Sequence, residues 1–146
     1  MQLTRYTDYG LRVLIFLSLQ EEGRRSNVSE IAAHFAIPRN HLVKIVHRLG
    51  QLGYVQTIRG KNGGILLATS ADSIGIGDVV RDLESTLEAV ACELPSPCPI
   101  LPACLLRGVL AKGMKSFFAV LDEVTLADLV RRPKQLKGLL QYPDAH

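Results

Sequence analysis

The chain has 146 residues, 47% of them hydrophobic and 21% charged, with a formal net charge of +3. That suffices for one domain with its own core, or for one domain with an added oligomerisation element, and no apolar run approaches the ~18 residues needed to cross a bilayer. Nothing at the N-terminus resembles a secretory leader, so a soluble, cytoplasmic protein with no membrane partner is expected; the mild positive charge permits nucleic-acid binding without requiring it.

Residues 3 to 19 open on Thr4 with Thr7 three places on and continue without proline through Leu11, Val13, Leu14, Ile15, Phe16 and Leu17. This predicts a helix that is apolar almost all round, except for a strip carrying Arg5, Asp8 and Arg12; such a helix is expected to be covered on more than one side, as at a subunit interface. Glu21 to Arg25 reads as a charged turn around Gly23. A second helix is predicted over residues 27–35, capped by Asn27 or Ser29 with Glu30 in its first turn and Ile31, Ala32 and Phe35 inward. Pro38 then suits the first turn of a third helix beginning near Arg39.

In that third helix Leu42, Ile45, Val46, Leu49 and Leu52 share one face, and Asn40, Lys44, His47 and Gln51 project from the other. Two short helices with a tight turn, the second offering Asn, Lys, His and Gln outward, fit a helix-turn-helix whose recognition helix enters a major groove; a merely solvated polar face fits the helix alone equally well. The stretch that follows favours the first reading. Leu52-Gly53 ends the helix, a strand runs to Ile58, Arg59 to Gly64 form a glycine-rich turn, and a second strand starts at Ile65. A wing of this kind brings backbone N–H groups and the cations of Arg59 and Lys61 close to phosphates. The glycines match neither phosphate-loop pattern, which argues against nucleotide binding.

A helix is predicted over residues 76–91, with Val79, Val80, Leu83 and Leu87 inward, and a long one over residues 105–121 with a seam of Leu106, Leu110, Gly113, Phe117 and Val120 that suits helix pairing. Thr125 and Asp128 fit a capping box for a short terminal helix. The expected fold class is mainly α with a small β-hairpin wing, organised as a winged helix-turn-helix over residues 1–75, a cysteine loop and dimerisation helices over residues 76–130, and a polar tail over residues 131–146.

All three cysteines, Cys92, Cys98 and Cys104, lie at equal spacing in one loop with Pro95, Pro97, Pro99 and Pro102. Five residues between neighbouring thiols is too wide for a zinc knuckle, and a loop that wraps round something fits an iron–sulfur cluster better than a compact ion. Three thiols leave one coordination position open, and Asp8, Glu93, His34, His41 and His47 are candidates to fill it. Asp8 stands out as a carboxylate on an otherwise apolar helix, although an i,i+4 ion pair with Arg12 explains it as well. Two rivals from other classes are a thiol redox enzyme or cluster carrier, which lacks its Cys-x-x-Cys pair and leaves the wing unused, and a zinc-stabilised interaction protein.

The stretches Gln2 to Arg12, Ser29 to Ile31, Arg39 to Ile45, Val55 to Gly64 and Ile76 to Arg81, together with the three cysteines, resemble the NsrR family of nitric-oxide-sensing repressors, relatives of the cluster-assembly regulator IscR. The resemblance runs from residue 2 to about residue 130. It implies a non-enzymatic, homodimeric winged-helix repressor whose Cys92, Cys98 and Cys104 hold an iron–sulfur cluster of the 4Fe-4S type. The partner's Asp8 is implied as fourth ligand; the histidine that IscR-like members place just after the last cysteine is replaced here by Leu105, Leu106 and Arg107. It further implies that the cluster-loaded dimer binds palindromic double-stranded operator DNA and that nitric oxide destroys the cluster and releases the DNA, with general redox or cluster status as the alternative signal. The expected DNA-contacting set is Ser29, Arg39, Asn40, His41, Lys44 and His47 at the helix-turn-helix, and Arg59, Lys61, Asn62 and Gly63 at the wing.

Overall fold

In the computed structural model, which describes residues 1–93 and 95–140, the chain begins with α1 (Arg5–Ser18), α2 (Val28–Phe35) and α3 (Arg39–Gln51). Side-chain caps place the first two. The Thr4 hydroxyl accepts from the Thr7 N–H at 3.3 Å, and Asn27 Oδ1 accepts from the Glu30 N–H at 2.8 Å, each satisfying a donor that the first helical turn leaves unpaired. Between α2 and α3 the chain reverses through Ala36 in the left-handed region (φ 52°), and Ile37 donates back to the Ala32 carbonyl at 3.0 Å. Pro38 closes the turn, and α3 starts at Arg39 as the sequence predicts.

The wing is an antiparallel hairpin of β1 (Val55–Ile58) and β2 (Gly64–Leu67), with Val55 opposite Leu67 and Ile58 opposite Gly64. At its tip a Cβ on Gly63 would lie 2.2 Å from the Ile58 carbonyl oxygen, so only glycine fits there. The hairpin has a further partner that the sequence reading did not see: Ser26 exchanges both backbone hydrogen bonds with Ile65, at 2.9 and 2.7 Å, which pins β2 to the segment before α2.

Beyond the wing come α4 (Ile76–Leu83), α5 (Leu105–Asp122), α6 (Leu126–Leu129) and α7 (Pro133–Leu140). The capping box at Thr125 and Asp128 forms as expected. A second stitch ties α6 to the start of α4: Ile76 donates to the Val124 carbonyl at 2.9 Å and Leu126 to the Ile74 carbonyl at 2.8 Å. The segment read as a polar tail carries α7 over its first part, and its residues 141–146 lie outside the described residues.

The structure corrects the sequence reading of the fourth helix. Instead of running to Ala91, α4 ends at Leu83 and Glu84 is extended. Glu84 is drawn off by α1, whose Thr4 N–H and hydroxyl donate to Glu84 Oε1 at 2.8 and 2.9 Å, and Ser85 and Thr86 follow, residues that compete with helix for backbone hydrogen bonds. Leu87, read as inward, is 40% exposed.

The core gathers round α1. Val13, Leu14, Phe16 and Leu17 are buried against Ile31, Leu42, Ile45 and Leu49 of the helix-turn-helix and Val79, Val80 and Leu83 of α4. The many-sided cover expected for α1 is thus supplied by α3, α4, α6 and β2 of the same chain. α5 leans on this core through Phe118, with Met114, Phe117 and Leu121 half-buried beside it. The predicted seam is divided by burial: Leu110 and Phe117 are partly buried, while Leu106 (61% exposed), Gly113 and Val120 (64%) beside them join Leu105 (86%) and Val109 (63%) in an exposed apolar stripe within an arc of about 100°. No helix among the described residues is long and apolar enough to cross a membrane.

Candidate nucleic-acid interface and cysteine loop

Burial of Leu42, Ile45, Val46 and Leu49 fixes the rotation of α3 and turns Arg39, Asn40, His41, Lys44 and His47 to solvent. Ser29, exposed on α2, accepts from Arg39 Nε at 2.9 Å, so the two helices of the motif share a polar contact at the start of α3. At the wing Arg59, Lys61 and Asn62 are exposed and Gly63 is half-buried in the turn. The predicted DNA-contacting residues therefore fall on α3, the start of α2 and the wing tip.

Two neighbours were missed by the sequence reading. Val43, 41% exposed, sits one helical turn from both Asn40 and His47 on the outward face, where an apolar side chain suits a thymine methyl group. Its position three residues after Asn40 was the available signal. Arg25 donates to the Asn62 backbone carbonyl and so ties the wing tip to the segment before α2, a contact across 37 residues of sequence that no local pattern announces.

The three cysteines are all free, Cys98 exposed and Cys92 and Cys104 half-buried. Backbone turns relate them: the Cys98 N–H donates to the Cys92 carbonyl at 2.8 Å, Leu101 to Cys98 at 3.0 Å and Cys104 to Leu101 at 3.4 Å. Cys104 then caps α5. Glu93, one of the candidate fourth ligands, is paired with Arg107 at 3.4 Å, which spans the loop from beside Cys92 to the first turn of α5. His34 lies within hydrogen-bond distance of the Leu140 carbonyl of α7, and His41 and His47 face outward from α3.

Asp8 is held by Arg12 through two hydrogen bonds of 2.9 and 3.0 Å, the i,i+4 pair that the sequence offered as its alternative. The same guanidinium lies 5.9 Å from the centroid of the Phe35 ring, linking α1 to α2. Among the described residues no three His, Cys, Asp or Glu side chains converge on a site for a metal ion. The donor set nonetheless suits a thiolate-held cluster in kind: three unpaired soft thiols on one irregular loop, with no disulfide consuming them.

Residues 3–132 match the Rrf2 family, described as iron-dependent transcriptional regulators. This chain belongs to the Rrf2 family. Among its relatives in that family, the HTH-type transcriptional regulator NsrR of Bacillus subtilis (strain 168) is 47% identical over 146 residues, covering 99% of this chain and 100% of that protein. NsrR of Shouchella clausii (strain KSM-K16) is 44% identical, covering 97% of each chain. Among solved structures the fold matches CymR, the global cysteine regulator of B. subtilis, with a TM-score of 0.70 and 27% identity over 88% of this chain and 95% of that one. The resemblance read from the sequence is borne out, and these Rrf2 relatives are transcriptional regulators rather than enzymes.

Proposed function

We propose that this Rrf2-family regulator is a cytoplasmic, homodimeric repressor that binds palindromic operator DNA while Cys92, Cys98 and Cys104 hold an iron–sulfur cluster, of the 4Fe-4S type, and that nitric oxide is its signal. The observation that carries the reading is the placement of three free thiols on the loop that joins α4 to α5. The relatives named NsrR, alike over their full length, support it.

Each residue then has a task. Asn40, His41, Lys44 and His47 meet base edges in the major groove with Val43 beside them, Ser29 and Arg39 brace the start of α3, and Arg59, Lys61, Asn62 and Gly63 meet the backbone. The exposed stripe of Leu105, Leu106, Val109, Gly113 and Val120 pairs two copies, which sets the distance between their α3 helices to match two half-sites. Cys92, Cys98 and Cys104 would hold the cluster through their thiolates, and the partner's Asp8 would supply the fourth ligand. To serve there Asp8 leaves Arg12, a partly exposed pair of the kind worth ~0–1 kcal/mol. When bound, the cluster would supply iron able to react with a small diatomic molecule. Joining the loop of one chain to α1 of the other fixes the angle between the two DNA-binding units; parting them spoils the spacing.

The test is anaerobic purification, a visible spectrum, and binding to a duplex selected from a random pool, before and after adding nitric oxide. Brown protein that releases the duplex on exposure is expected; colourless protein binding equally well in both states refutes the proposal. An air- or peroxide-driven release with no response to nitric oxide assigns the signal to general redox status.

A further inference from the structure

The end of α4 is joined to three different parts of the chain by Arg81 and Asp82 in its last turn and by Glu84 just beyond it. Arg81 donates from its two terminal nitrogens to Asp122 of α5 at 2.6 and 2.8 Å, and its guanidinium stands 4.4 Å from the centroid of the Phe118 ring. Asp82 accepts from the hydroxyl of Tyr54, the residue before the wing, at 2.6 Å. Glu84 accepts from Thr4 at the start of α1 at 2.8 and 2.9 Å, and from Thr7 one turn on. The approach of α4 to α5 is close enough that a Cβ on Gly77 would lie 1.9 Å from Asp122 Oδ1.

Glu84 is also the first residue of the irregular stretch that leads to Cys92. Among the described residues, its bonds to Thr4 and Thr7 are the side-chain hydrogen bonds that join residues 84–104 to the preceding part of the chain. A change in the loop therefore acts on α4 at Glu84, and α4, a single short helix, passes the displacement to whatever its other side chains hold.

We infer that the Arg81-Asp82-Glu84 turn is the relay between the cysteine loop and the DNA-binding surface, and that the Tyr54–Asp82 hydrogen bond is the link that sets the wing. This rests on the proposed cluster-dependent DNA binding. Tyr54 and Asp82 are positioning residues that touch neither cluster nor DNA, and the link is a two-partner contact whose loss is separable from folding because Asp82 is exposed.

The test uses full-length wild type, Tyr54→Phe, Asp82→Ala and Asp82→Asn, purified anaerobically. Three quantities are read: cluster absorbance per chain, affinity for the selected duplex with and without cluster, and hydrogen exchange of the amides of residues 55–67 in cluster-free protein. Tyr54→Phe and Asp82→Ala are expected to keep the absorbance and the cluster-free affinity, to lower the ratio of loaded to cluster-free affinity by about fivefold, and to speed exchange in the wing. Asp82→Asn keeps an acceptor for the Tyr54 hydroxyl and is expected to match wild type. If wild type binds more tightly when loaded and both Tyr54→Phe and Asp82→Ala keep its ratio, the relay is wrong and the sensor stands. A wild-type ratio of one overturns the sensor proposal and the relay with it.

Discussion

Replacing Val109 by Ala should weaken pairing of two chains while leaving each chain folded. In the single chain Val109 is 63% exposed on the outer stripe of α5, so the substitution removes little that the fold itself buries. Two methyl-sized groups at about 0.8 kcal/mol each, scaled by the exposed fraction, leave about 1 kcal/mol for an interface to gain per copy. A two-fold interface counts every residue twice, which gives about 2 kcal/mol, or roughly a 30-fold rise in the dimer dissociation constant. Val109→Asp should abolish the dimer, since it would desolvate a carboxylate on each side. Sedimentation equilibrium over a range of concentrations measures the constant, and far-ultraviolet circular dichroism checks that the helices persist. An unchanged constant for both variants refutes the assignment of this stripe to the interface.

Three further outcomes follow from the same geometry. Ala36→Gly should stabilise the chain by about 0.5–1 kcal/mol in urea titrations, because a left-handed alanine is strained and glycine there is not; a loss of stability contradicts this. Although burial raises the Glu84 carboxyl, hydrogen bonds from Thr7 and Thr4 hold it below its ordinary 4.5, and Asp122 is held below 3.8 by the hydrogen bond from Arg81. Both are lowered in the folded chain, so the stability they contribute is complete above those ordinary values and is lost as pH falls through the folded ones; urea midpoints should fall as the pH is taken below those ordinary values, and less steeply in Glu84→Gln. Replacing Arg59 and Lys61 together by Ala should lower the slope of log affinity against log salt by about 2 and weaken binding to all duplexes alike, as loss of two phosphate contacts requires; altered sequence preference would place these residues at bases instead.

The helix-turn-helix was legible because its signals are local. Asn27 and Pro38 mark helix starts within a turn of the groups they cap, and Leu42, Ile45, Val46 and Leu49 repeat at the helical period, so the outward face follows by subtraction. The stitches that assemble these pieces were not legible. Ser26 with Ile65 and Ile76 with Val124 are backbone contacts between remote segments, and backbone groups carry no residue-specific mark. The early end of α4 has the same origin: Val79, Val80, Leu83 and Leu87 continue a helical period past Glu84, but Thr4, 80 residues earlier, captures that carboxylate and the helix stops. In α5 the seam of alternating steps does lie on one face, but burial divides that face: Leu110 and Phe117 border the chain's own core and Leu106 and Val120 open to solvent. Periodicity identifies an apolar helix; only packing distributes its faces among partners.

Asp8 joins the two halves of this reading. The sequence offered it either to Arg12 or to an iron, and in the single chain Arg12 has it, in a bidentate pair with each side chain 43% exposed. In the proposed function these alternatives belong to different assemblies, the single chain and the loaded dimer, and do not compete within one. A buried carboxylate would need its partner permanently, since removal would leave an unpaired charge in a medium of low dielectric. A half-exposed carboxylate can change partners, because water covers the charge in between and the pair itself contributes little. Arg12 also reaches the ring of Phe35, so a guanidinium released by Asp8 still has the face of α2 to rest on. On the proposed function Asp8 would be held by Arg12 when the chain is alone and by the cysteine loop's cluster when two chains meet, and the exchange would act on α1, round which the core gathers.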